Sequence, residues 1–372
     1  MSTIIHATDP AELLGLVPAL AGFTPRRSIV MLPFHGARTY GAMRVDLPSP
    51  ESDPDEFAEA ALHALLQVSE IDAAAVVVYT DVPPQRVPDG ILLPHLTVVE
   101  TLVEVLAQTG LRVVDALCVT PDGWGDYLDE EPVVLPLEDI PSPTGIPGIG
   151  DVSGDQTAGA ELPAADLVQR ERVGRALREL DEVLDRHRTG RSRPASGENP
   201  LTLVVADTLL DDLPAFAEDL LDAPHDEDPY GCAALLWCLN RPVLRDAILV
   251  QWATDEEFGS RALGAQLDYA DAGAEIPPAV GDVFLGRGPR PDSDRLGCAL
   301  QVVRRAAALA PRHAKAPALT AAAWLAWALG RSSQAGQYVD QALEIDPEYG
   351  LASLIAGTLS AAVLPEWALR RP

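Results

Sequence analysis

"AAAVVVYTD" occupies residues 73–81. Seven apolar residues run without a break, and the first polar groups are Thr80 and Asp81. An exposed strand alternates apolar with polar, and this one does not. A short unbroken apolar run rich in Val fits a strand covered on both faces, the kind found inside α/β sheets. Its neighbours agree. "DPDEFAEAALHALLQV" (53–68) repeats Phe57, Ala61, Ala64 and Val68 at helical spacing behind an acidic start. "PHLTVVETLVEVLAQTG" (94–110) sets Leu96, Val99, Val103 and Leu106 on one stripe and stops at Gly110. "RVVDALCV" (112–119) is a further strand. "SIVMLPF" (28–34) and "TYGAMRVDLP" (39–48) are expected to pair as a hairpin across the Gly36 turn. Strands alternating with helices predict parallel pairing through crossovers, and the hairpin makes the sheet mixed. The expectation is an α/β domain over residues 1–140 with a mixed, largely parallel sheet.

Beyond it the composition changes. Residues 141–163 are rich in Pro, Gly, Ser and Thr and read as a linker or mobile loop. A charged helix and a second linker fill 164–198. From residue 199 to 372 the pattern is helical, and "LTLVVADTLLDDL" (201–213) is assigned to helix by its surroundings despite its β-branched start. "TAAAWLAWALGRSSQAGQYVDQALEIDPEYG" (320–350) reads as a tetratricopeptide-like hairpin. Small residues stand seven apart and a proline follows, at Ala335, Ala342 and Pro347. The pattern is echoed at Ala299, Ala306 and Pro311, and again at Ala265, Ala272 and Pro277 with Tyr269. Such a unit buries its face only by stacking. A degenerate all-α, tetratricopeptide-like domain is therefore expected, its hairpins spanning about 294–364.

The formal charge is 27 − 56 = −29. So acidic a surface repels phosphate backbones and anionic membranes, which argues against nucleic-acid and membrane partners. The start lacks the basic and apolar regions of a signal peptide, and no apolar run reaches membrane-helix length. Cys118, Cys232, Cys238 and Cys298 follow no zinc or redox spacing and read as structural thiols of a cytoplasmic protein.

"LLGLVPALAGFTPRRSIVMLPF" (13–34), "RVDLP" (44–48), "VVVYTD" (76–81), "LLWCLNRPVLRDAIL" (235–249) and "LAWALGRSSQAGQYVDQALEIDPEYGLASLIAG" (325–357) resemble the actinobacterial family of the domain of unknown function DUF4192. The resemblance runs from about residue 9 to 364. It implies a cytoplasmic bacterial protein of about this length and no established activity. The family pattern also implies a cysteine cluster after an aromatic stretch. In this chain "DGWGDYLDEEPVVLPLED" (122–139) keeps Trp124 and Tyr127 and holds no cysteine, so thiol chemistry there is not expected.

Two functional classes remain. In the first, the protein is a non-catalytic adaptor or regulator whose helical domain takes a protein or peptide, with Arg245 and Asp246 as candidate contacts. In the second, the α/β domain is an enzyme or small-molecule binder. Open α/β sheets bind ligands at the carboxyl ends of their strands. Asp46, Asp81 and Asp122 follow strands there and are candidates for catalysis or for holding magnesium through oxygen ligands. Arg26, Arg27 and Arg44 are candidate ligand contacts, and His95 is either a helix cap or a base. "GIPGIGDVSG" (145–154) is no dinucleotide fingerprint. "RHRTGRSR" (186–193) reads as a solvated basic linker.

Overall fold

The computed structural model describes residues 7–39, 41–68, 70–88, 90–142, 154–156, 160–189, 199–222, 228–361 and 363–369. Contacts divide the chain into two compact units, residues 1–159 and 160–371. The first is α/β and the second is all-α. Most of the expected linker (141–163) and half of the basic stretch (186–193) lie outside the described residues. The described residues 154–156 belong with the first unit, where Asp155 bridges to Thr24.

In the α/β unit the strands are β1 (Ser28–His35), β2 (Arg38–Thr39), β3 (Met43–Asp46), β4 (Ala73–Tyr79), β5 (Gln85–Val87), β6 (Gly90–Leu92), β7 (Arg112–Thr120) and β8 (Gly123–Asp126). The helices are α1 (Pro10–Ala21), α2 (Pro54–Leu65) and α3 (Leu96–Gln108). Among the described residues the main sheet runs β2-β1-β4-β7-β8, with β3 also on β1, and β5–β6 form a separate hairpin. The sheet is mixed. β4 and β7 pair in parallel at its centre, and β1 and β8 flank them antiparallel. The predicted hairpin pairs Ser28 with Asp46 and Met31 with Met43.

All seven residues of β4 are buried, so both faces need cover. Ala74, Val76 and Val78 meet α2 and α3 through Ala61, Leu65, Val99, Leu102 and Leu106. Ala75, Val77 and Tyr79 meet α1 through Leu13, Leu14 and Val17, joined by Trp124. On α3 the buried stripe takes Leu102 where the pattern marked Val103; both stand one turn from Val99, and the longer side chain fills the space. The sequence reading does not anticipate α1. Its start is nonetheless explicit, because Asp9 caps it and Pro10 opens it. The same pairing starts α2 at Asp53-Pro54, α5 (Pro200–Asp211) at Asn199-Pro200, and α7 (Pro229–Leu239) at Asp228-Pro229. Gly15 lets α1 pass the chain beyond β8: a Cβ there would lie 2.5 Å from the Pro141 carbonyl oxygen.

The helical unit also contains α4 (Leu167–Arg188), α6 (Leu213–Asp222), α8 (Pro242–Ala253), α9 (Glu256–Ala272), α10 (Pro278–Phe284), α11 (Ser293–Leu309), α12 (Arg312–Ala328), α13 (Ser332–Ile345), α14 (Gly350–Ser360) and α15 (Glu366–Leu369). Residues 201–213, with their β-branched start, are helical as expected. Every residue of α12 from 316 to 328 is buried, and a helix apolar on all sides needs neighbours all round. α7, α8, α11, α13 and α14 supply them. The tryptophan N–H groups buried in this way find carbonyls: Trp324 donates to Phe284, Trp327 to Val363, Trp367 to Ala328 and Trp252 to Ala217, all at 2.9–3.0 Å. A side-chain network ties α6, α8 and α11, in which Arg295 grips Glu218 with two N–H groups at 2.5 and 2.7 Å while Gln251 donates to the same carboxylate at 2.6 Å. The Arg295 hydrogen bonds hold the Glu218 carboxyl below its usual range.

Ala335 and Ala342 are fully buried, and so are Ala299 and, nearly, Ala306. The third sequence match behaves differently. Ala265 is half-buried, while Tyr269 and Ala272 are exposed. α9 packs on α8 through Gly259 and Ala262 instead, and residues 267–272 at its end are exposed. Ala342→Leu is expected to overpack the α12–α13 contact and lower stability by about 1–3 kcal/mol. Denaturant unfolding of the full chain checks this, and an unchanged midpoint would show that the site has room.

Candidate functional site

The carboxyl edge of the sheet collects most of the candidates from the sequence. In register across it lie Asp46 on β3, Ser28 on β1, Tyr79 on β4 and Val119 on β7. Asp81 and Asp122 follow just beyond. The three aspartates share an edge and do not share a site. Asp46 is taken by Arg44, whose side chain is largely buried, and Asp81 lies 3.8 Å from Arg27. Asp122 occupies the two-residue turn between β7 and β8, where the Thr120 hydroxyl donates to the Gly123 carbonyl at 2.8 Å. Among the described residues no three His, Cys, Asp or Glu side chains gather to hold a metal. The magnesium ligation expected of Asp46, Asp81 and Asp122 thus finds no assembled ligand set.

Arg26 and Arg27 are likewise engaged. The Arg26 guanidinium lies 3.6 Å from Asp155, and its backbone exchanges hydrogen bonds with the Gln156 amide at 2.9 and 2.7 Å. These pairs are exposed and contribute little to stability. Arg245 is a buried tie in the helical unit. It donates to Asp246 and to the Tyr349 hydroxyl, each at 2.8 Å, and so anchors α8 to the start of α14. Burial pushes the Asp246 carboxyl upward, and the adjacent guanidinium opposes this.

One groove opens at this edge of the α/β unit. The turn after β4, the β5–β6 hairpin and the start of α3 enclose about 330 Å³ lined by Val82, Pro83, Leu92, Leu93, Leu96 and His95. His95 occupies the N-cap position of α3, but its side chain caps nothing there. Its Nε2 lies 3.1 Å from the buried Thr80 hydroxyl instead. The backbone of His95 is left-handed, with φ 59°, which is uncommon outside glycine and needs support from its surroundings. Tyr127 provides some, donating from its hydroxyl to the Pro94 carbonyl at 2.5 Å. Burial lowers the proton affinity of His95.

Neither Tyr127 nor β8 was expected. "PDG" at 121–123 is the local turn signal that marks the hairpin, but the two glycines of "GWGD" hide the strand. β8 also places Asp126 beside Asp115 of β7. Burial and the Asp126 charge raise the Asp115 carboxyl to about 6. The four cysteines are free. Cys118 and Cys238 are buried, and burial raises their thiols to about 11 and 12.

The family model for the domain of unknown function DUF4192 matches residues 10–267 and 291–366. The protein belongs to this family, which covers both the α/β unit and most of the helical one. No curated protein and no solved structure matches the chain. Among the described residues no helix is long and apolar enough to cross a membrane.

Asp115 yields a prediction with a definite sign. Folded Asp115 keeps its proton to about pH 6, whereas an unfolded Asp loses it near 4. The folded state therefore binds more protons between those values, and stability falls as pH rises through that window. Asp115→Asn is expected to stabilise the protein above pH 6 and to leave it unchanged near pH 4. The full shift corresponds to about 3 kcal/mol, and because the group is only half buried solvent screening cuts this to about 1 kcal/mol. Urea melts of both proteins at pH 4 and 7.5 decide it; an equal difference at the two pH values would refute the assignment.

Proposed function

We infer that this protein is a non-catalytic adaptor or regulator that holds a segment of a protein partner against its helical unit. The observation that supports the reading is an apolar face left open to water. Leu167 and Val168 at the start of α4 and Leu201 and Val204 on α5 are 79%, 60%, 57% and 61% exposed. With Pro229 and Tyr230 at the start of α7, three of them not counting Val204 line a groove of about 700 Å³. Contiguous exposed apolar surface on a folded protein marks an interaction site. Its charge is mixed, with Arg172 and Arg175 alongside Glu171 and Asp228 in the lining, and the guanidinium groups are what carboxylates of a partner would meet. Arg172 lines the groove with Arg175, and Arg175 and Arg178 share one carboxylate, Glu171, at 3.8 and 3.9 Å. A helix bearing leucine-like anchors on one side and carboxylates at the rim is the segment that suits such a groove.

The tetratricopeptide reading belongs to the same proposal and is supported by the burial of Ala299, Ala306, Ala335 and Ala342. So does a cytoplasmic setting, which the four free cysteines favour. A partner other than nucleic acid or a membrane surface fits the charge of −29. The full chain, immobilised and exposed to lysate of its own host, is expected to retain a stoichiometric protein. Val168→Asp with Leu201→Asp is expected to lose it, with thermal stability unchanged because both sites are exposed. Equal retention by the double variant would place the partner elsewhere and overturn this reading.

A further inference from the structure

The groove beside His95 carries an inference separate from the helical unit. Thr80 is 7% exposed, and its hydroxyl oxygen accepts the Val82 N–H at 3.2 Å. Its proton therefore needs an acceptor, and His95 Nε2 at 3.1 Å is in place. The reverse arrangement, with Nε2–H donating, would leave the buried hydroxyl proton unsatisfied, which costs more than the bond returns. The network thus assigns the ring proton to Nδ1. A neutral imidazole fits the lowered proton affinity of this residue.

The ring is also held at some expense. A left-handed backbone at a histidine is strained, and strain of this kind concentrates where geometry serves a ligand. The Tyr127 hydroxyl, from just past β8, donates to the Pro94 carbonyl beside His95 and supports that geometry. The walls are mostly apolar, with Gln85 and Thr97 as the polar side chains beside His95. Val82 and Leu92, at 46% and 39% exposure, stand at the rim as large aliphatic side chains open to water, and Leu93 and Leu96 line the interior. The groove lies past the carboxyl end of β4, where α/β sheets bind ligands. An apolar concavity with few convergent polar groups is the usual form of a small-molecule site.

We propose that this groove binds a short aliphatic monocarboxylate, whose carboxylate accepts the His95 Nδ1–H while its hydrocarbon lies along Val82, Leu92, Leu93 and Leu96. A donor on the ring calls for an acceptor on the ligand. The start of α3 carries no acidic residue in its first turn and no side-chain cap, and no residue lining the groove is acidic, so a carboxylate head meets no like charge in the lining itself.

The experiment follows the His95 imidazole resonances of the full chain by NMR while hexanoate is added. Hexanol, which lacks the charge, and acetate, which lacks the chain, are the comparison probes. A saturable hexanoate shift at millimolar concentration or below is expected, with both comparison probes weaker by about tenfold or more. Thr80→Val releases the ring tautomer and is expected to weaken hexanoate, with the remaining amide spectrum unchanged. The proposal is overturned if hexanoate produces no saturable shift, if hexanol binds as tightly, or if His95→Ala retains hexanoate binding by amide shifts around the groove. The wild-type probe series decides the matter even where a variant does not fold.

Discussion

A strand with no polar side chain exists only if both faces and both edges are covered, and β4 is that strand. Its edges are closed by β1 and β7, one antiparallel and one parallel. One face is closed by α2 and α3, the other by α1 and Trp124. The rest of the α/β unit follows from this demand. Ala73 to Val78 carry no polar side-chain atom, Tyr79 adds only its phenol, and the first aliphatic hydroxyl and the first carboxylate emerge together at Thr80 and Asp81, at one edge. The chemistry of this unit is crowded there by exclusion from the core.

Crowding at an edge is different from assembly into a site. Asp46, Asp81 and Asp122 end or follow β3, β4 and β7, yet each meets a different environment: a largely buried arginine, an exposed arginine and a tight turn. Charges at a wet edge find the nearest opposite charge, and those pairs hold them apart. His95 is drawn the other way. It is partly withdrawn from water, bonded to a buried hydroxyl, and lines a mostly apolar groove.

The helical unit meets the same demand with a different element. α12 is buried along its length by five other helices, so alanine dominates where backbones must approach and tryptophan where gaps must be filled. Trp324, Trp327 and Trp367 each bring a polar N–H into the core, and each finds a carbonyl at a helix end or turn. Such bonds select one arrangement of helices, because an indole N–H left unpaired in the core is costly.

The elements themselves were readable from local sequence. Unbroken valines mark β4, apolar spacing marks α2 and α3, and Asp-Pro or Asn-Pro pairs mark helix starts, since each depends on residues within a turn or two. The buried alanines of α11 and α13 were readable for the same reason. The third repeat match was not, because whether Ala272 is covered depends on where later helices pack in the fold, and Ala272 is exposed. β8 escaped because its glycines suppress the periodic signal, and with it went Tyr127, whose hydroxyl reaches a carbonyl 33 residues away. The candidate site divides in the same manner. Sequence placed Asp46, Asp81 and Asp122 after strands, which is a local fact. That Asp46 and Asp81 meet separate arginines while Asp122 sits in a turn, and that His95 meets Thr80 across 15 residues, depends on which strand ends lie side by side, and only the folded sheet decides that.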